Sequence, residues 1–135
     1  MTTKEYMSQA FYLDRKIKSK ERQLEALKAH AIYVGPIYEE RVSASPSNKS
    51  TMESAAVRIV ELEKEIQVQI GELVSLKSEI ERTIHSIGND QYETLLEMRY
   101  LAFMSWKEIS ARLGYSGKYV YEVHGRALEL VCFAD

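Results

Sequence analysis

Through the first thirty residues apolar side chains return at alternating steps of four and three: Tyr6, Ala10, Leu13, Ile17, Leu24, Leu27 and Ala31, with Lys20 the polar member of the series. That spacing is a heptad seam, and it predicts an amphipathic helix from residue 3 to 31, about 40 Å long at 1.5 Å per residue. Thr2 with Glu5 supplies a capping box at its start. Residues 32–49 hold both prolines, Gly35 and a Ser/Asn-rich run, so a connector is expected there, with Tyr33, Val34, Ile37 and Tyr38 arguing that part of it packs. From Ser50, which can form a box with Glu53, the pattern is more regular. Met52, Ile59, Ile66, Leu73, Ile80 and Ile87 recur at sevens, interleaved with Ala55, Leu62, Gln69, Leu76 and Thr83. This predicts a second helix of about 55 Å, stopped at Gly88.

Two seams of this kind most simply cover each other as an antiparallel coiled-coil hairpin over residues 1–88. Residues 1–31 carry seven basic and four acidic groups, +3, and residues 51–88 four basic and seven acidic, −3, so charge favours pairing the helices with each other. Beside the main seam runs a partial stripe, Ala56, Val60, Ile70, Val74 and Ile84, too apolar for a solvated face. It predicts a homodimer or a higher oligomer. Gly71, off the main seam, is expected to cost about 1 kcal/mol relative to alanine and to permit a bend.

Residues 89–135 read as a second, three-helix module. Its first helix starts at Asp90, with Glu93 three residues on, and presents Tyr92, Leu95, Leu96, Tyr100 and Phe103. Ser105 with Glu108 caps the next, whose Trp106, Ile109 and Leu113 share a face and which Gly114 ends. Ser116 caps the last helix, where Val120, Val123, Ala127 and Leu130 fall on one side and Lys118, Tyr121, Glu122 and Arg126 largely off it. Two helices joined by so tight a turn are a helix-turn-helix, and the expected fold class is all-α: the hairpin followed by this module.

The motifs Glu108-Ile109-Ser110, Leu113-Gly114-Tyr115-Ser116, Val120 and Ala127-Leu128 resemble the helix-turn-helix of region 4 of bacterial sigma factors, with Met98-Arg99-Tyr100 matching the segment before it. Residues His124 to Leu128, Trp106 to Ile109, Arg41-Val42-Ser43 and Ile59 to Ile66 are similar to small phage and prophage regulators of the ArpU and RinA type. The resemblance implies a regulator of transcription in the cytoplasm of a bacterial host cell, with late phage genes as its expected targets. It places the base-reading positions on Gly117, Lys118, Tyr121 and Glu122, less basic than in the family pattern. Lys118 would meet phosphate or a guanine edge, Tyr121 a thymine methyl or phosphate, and Glu122 a cytosine amino group. Lys107, Arg112 and Arg126 are phosphate candidates, and Ser116 sits at the helix start beside them.

Net charge widens the choice of partner. Residues 105–131 carry four basic and three acidic groups, only +1, so one module would hold double-stranded DNA weakly. RNA polymerase or another host protein is therefore an alternative partner, and a packaging or assembly scaffold a third reading. Arg15, Lys16, Lys18, Lys20 and Arg22 read as the wet side of a coiled coil, with an auxiliary DNA contact as the alternative. His124 reads as an amphipathic-face histidine, with a phosphate contact as the alternative, Trp106 and Tyr100 as core, and Gly125 as a site of close backbone approach or simple tolerance.

No enzyme is expected: His30, His85 and His124 are isolated, Cys132 has no ligand-spaced neighbour, and no glycine-rich phosphate loop appears. No cofactor or metal site is predicted. A single cysteine among 135 residues excludes an internal disulfide, and no apolar run approaches the roughly 18 residues of a membrane span.

Overall fold

A computed structural model of the protein describes residues 1–41 and 46–134, with side chains described at 1–31 and 52–134. Among the described residues it is all-helical, without strands: α1 Thr3–Arg41, α2 Pro46–His85, α3 Asp90–Tyr100, α4 Trp106–Leu113 and α5 Gly117–Glu129. Residues 1–14 and 72–135 form one compact unit, and residues 15–71 another.

In the unit of residues 15–71 the heptad positions are covered except Met52, which is 37% exposed. Ile17, Leu62 and Ile66 are buried, and Lys20, Leu24, Leu27, Ala31, Ala55, Ile59 and Gln69 are partly covered. Lys20 pairs with Glu65 at 3.4 Å and Lys28 with Glu63 at 3.4 Å, so rising numbers on α1 meet falling numbers on α2. The two segments are antiparallel. The polar interruption at Lys20 is thereby explained: its stem fills a seam position while its ammonium reaches a carboxylate. Burial works to raise Glu65, but the hydrogen bond and charge of Lys20 and the charge of Arg58 outweigh it, and the carboxyl lies below its ordinary range. Exposed pairs of this sort contribute about 0–1 kcal/mol each, whereas a fully buried Ile or Leu contributes roughly 1.5–3 kcal/mol. Apolar burial, more than ion pairing, holds the two segments together.

The other unit is built around Met7, Ile80, Ile84, Leu95, Leu96, Ile109, Val120 and Val123, all sealed from solvent. Its core is continuous across residue 88, because Tyr6, Met7 and Ala10 at the start of α1 join the residues of α3 to α5. The capping box at Thr2 is closed in both directions: Glu5 N–H donates to Thr2 Oγ1 at 3.1 Å, and Thr2 N–H to Glu5 Oε2 at 2.9 Å. The Tyr6 ring stacks on Phe133 at 4.5 Å, and its hydroxyl lies 3.1 Å from Thr83 Oγ1. Gly88 turns the chain out of α2 at φ +73, a region where a side chain is strained. His85 then bridges α2 and α3, with Nδ1 2.9 Å from Glu93 and Nε2 3.5 Å from Glu97. The Glu93 hydrogen bond raises His85 above its ordinary pKa against desolvation, aided by the charges of Glu97, Glu93 and Glu81.

Several expectations are corrected. The connector foreseen over 32–49 is helical to Arg41 and again from Pro46. Proline is tolerated at a first helical position because its missing N–H would have no partner there, whereas Pro36, inside α1, removes one internal bond without ending the helix. Ser50 therefore lies within α2 and does not open it. The packing expected of Tyr33, Val34, Ile37 and Tyr38 concerns side chains outside those described. α3, by contrast, starts at Asp90 as expected, with Asn89 as its cap, the Asn89 side chain accepting from Tyr92 N–H.

Candidate nucleic-acid interface

Three helices set up this surface. Ser105 caps α4 by accepting from Glu108 N–H at 3.2 Å; its own hydroxyl contacts Glu108 Oε1 at 3.1 Å. Gly114 closes α4 at φ +71, its N–H bonded to the Ser110 carbonyl. Two residues later Ser116 restarts the chain as α5, accepting from Tyr119 N–H at 3.0 Å. The turn thus satisfies helix-end groups on both sides with local hydrogen bonds, as the sequence motifs require.

On α5, Val120, Val123 and Ala127 are fully buried, and His124 joins them with 8% of its surface exposed. The regular stripe ends at Glu129: Leu130, expected inside, is 49% exposed, and Val131 turns inward in its place. The helix has ended by then, so its periodicity no longer applies.

His124, read as an amphipathic-face histidine, faces inward. Its Nε2 lies 2.6 Å from the Tyr100 hydroxyl, and its ring meets the Trp106 ring edge-on at 4.6 Å. Burial, reinforced by the charges of Lys4 and Arg99, lowers it to about 4. The Tyr100 phenol is pushed up to about 12 by burial, which the Arg99 charge opposes. With the imidazole neutral, the tautomer decides whether the tyrosine hydroxyl donates to Nε2 or Nε2–H donates to the phenol oxygen, and either way the two groups satisfy each other. A phosphate contact by His124 is therefore excluded in this fold.

All eight sequence-selected residues are exposed: Lys107 and Arg112 on α4, Ser116 at the cap, and Gly117, Lys118, Tyr121, Glu122 and Arg126 on α5. Lys118, Tyr121 and Glu122, three and four residues apart, share a face, and Arg126 follows Glu122 one turn later. Tyr121 is held there, its ring 5.2 Å from Trp106 while 55% of its surface stays open. Arg112 stands apart. It borders a groove with Lys77, Glu81, Glu97 and Met98, to which α5 contributes nothing.

Sequence reasoning missed Arg99. Its guanidinium lies 4.5 Å over the Trp106 ring, and Nη1 donates to the Met104 carbonyl at 3.0 Å, fixing the indole from behind. It also missed the pair Tyr115 and Tyr119, packed edge to face at 4.8 Å, with Gln91 Nε2 2.8 Å from the Tyr115 hydroxyl. Arg99 over Trp106 was not legible because a chain turn separates the two, whereas Tyr115 and Tyr119 lie four positions apart and only their contact with Gln91, 24 residues away from Tyr115, was beyond local spacing. Gly125 has open space where a Cβ would sit, so no described part of its own chain approaches it closely.

Among the described residues, no group of three or more His, Cys, Asp or Glu is placed to hold a metal ion. No described helix is long and apolar enough to cross a membrane. Among the described residues the fold is all-helical, and α4 and α5 form a capped pair of short helices. The chain belongs to a family of proteins of unknown function, DUF1492, whose model matches residues 35–131. No curated protein and no solved structure matches it.

Proposed function

We propose that the chain is a phage or prophage DNA-binding transcriptional regulator, not an enzyme, in which α4 and α5 act as a helix-turn-helix beside α3, and the antiparallel seams act as a coiled-coil arm. One observation carries this reading: α5 buries Val120, Val123 and Ala127 and leaves Lys118, Tyr121, Glu122 and Arg126 in solvent. A recognition helix needs that division, with its N-terminal residues nearest the base edges in the major groove. Lys118 and Tyr121 are the base-proximal pair, Glu122 an acceptor for a cytosine amino group, and Lys107 and Arg126 the phosphate contacts. Control of late phage genes, in the bacterial cytoplasm, follows from the sequence resemblance.

Anisotropy titrations of the full chain against duplexes from DNA flanking its own gene test this. Binding that falls steeply between about 50 and 200 mM salt is expected, and Lys118→Glu weakens it at least roughly tenfold. Affinity that ignores both salt and Lys118 rejects the assignment.

The modest charge supports a second reading. With four basic and three acidic groups over residues 105–131, and Tyr119 and Tyr121 38% and 55% exposed, the same face suits a protein such as RNA polymerase. Co-purification with polymerase that survives nuclease treatment and is lost in Tyr121→Ala selects that reading.

A further inference from the structure

The outer side of α2 in the unit of residues 15–71 is apolar and uncovered by the described residues of its own chain. Val57, Val60, Val68 and Ile70 are 56, 50, 63 and 38% exposed. Val60 and Val68 border a groove of about 630 Å³ that is also lined by Ile66, Glu63, Lys64 and Gln67 of α2 and Leu24 of α1. Valine is a poorer helix former than alanine or the long charged residues, so a solvated face gains nothing from it. The positions Ala56, Val60, Glu63, Gln67 and Ile70 advance by four, three, four and three. That is a second heptad seam, and a heptad seam is complementary to another helix.

We propose that this face is where two copies of the chain pair, α2 against α2 in opposite directions, about a two-fold axis level with Glu65. The sequence is self-complementary in that register. Val60 of one copy falls opposite Ile70 and Gly71 of the other, and Glu63 opposite Gln67, each contact occurring twice, as an isologous interface requires. Gly71 has nothing within 4 Å of a built Cβ, which leaves room for the valine of the second copy. Glu63 Oε1 is held by Lys28 at 3.4 Å, and its second oxygen is the acceptor for the Gln67 amide across the axis. A parallel in-register pairing instead stacks Glu63 on Glu63, like charge on like. Charge therefore selects the antiparallel arrangement. This pairing is independent of the DNA reading and stands if that reading fails.

Sedimentation equilibrium of the full chain gives the first test, with twice the single-chain mass of 15.6 kDa expected. Val60→Glu with Ile70→Glu halves that mass with helical circular dichroism unchanged, because both side chains are exposed within one chain. The milder Val60→Ala with Ile70→Ala weakens the dimer at least roughly tenfold and covers the case in which the glutamates unfold the helix. In a Cys132→Ser background, Val60→Cys and Ile70→Cys refolded together form a mixed disulfide. Neither cross-links alone, since like positions stand about 15 Å apart along the axis, beyond disulfide reach. A monomer at all concentrations, a dimer untouched by the alanine pair, or Val60→Cys cross-linking to itself overturns the proposal.

Discussion

The Tyr100 hydroxyl and His124 Nε2 meet at 2.6 Å where α3 packs on α5, with the Trp106 indole against the imidazole. This is a polar pair inside an apolar core, and it makes the fold sensitive to acid.

His124 is lowered from 6.5 to about 4 in the folded chain. Between those values the unfolded chain binds a proton that the native state refuses, so stability rises with pH across that window and is lost as pH falls toward 4. The loss is on the order of 2–3 kcal/mol. Urea unfolding at about pH 4.5, 5.5 and 7 measures it. In His124→Phe this limb flattens, while Tyr100→Phe leaves a buried ring nitrogen unpaired and costs about 1–3 kcal/mol near neutral pH.

His85 works in the opposite direction. Its pKa is raised above 6.5 by Glu93, so its contribution is complete below 6.5 and disappears as pH climbs through the raised value. Stability should therefore peak near the ordinary histidine pKa. In His85→Ala the decline on the alkaline side vanishes, read by the same urea series; an unchanged slope removes His85 as its source.

Gly125→Ala is expected to stabilise the protein by about 1 kcal/mol, since the new methyl group meets open space and alanine is the better helix former. Thermal melts check it. If the melting temperature rises while duplex affinity falls, a partner's backbone comes close at this turn of α5.

Gln69 fills a seam position with its Oε1 buried and without a hydrogen-bond partner among the described residues. Gln69→Leu should raise stability by about 1–3 kcal/mol, measured by chemical denaturation. Unchanged or lower stability would mean that water or a second chain satisfies the amide.

The two long seams were legible in residue order because a heptad repeat depends only on local helical geometry: Ile17, Leu62, Ile66 and Ile80 lie buried where the spacing put them. The turn was legible for a similar reason. Gly114 and Ser116 act through bonds to residues three or four positions away.

The candidate surface was legible only in part. Spacing separated the two sides of α5, but it could not tell that His124 turns inward to a tyrosine 24 residues away, nor that Arg99 backs Trp106. It also missed Met7, fully buried with no repeat to mark it.

Residue order alone was enough for the helices of the C-terminal unit, most of their caps and the apolar seams, since these rest on periodicity and on hydrogen bonds made within one turn. Long-range packing was needed to bring Tyr6, Met7 and Ala10 into the core of the C-terminal helices, and to make His124 a neutral core group. Both outcomes depend on burial and electric fields contributed by residues far away along the chain.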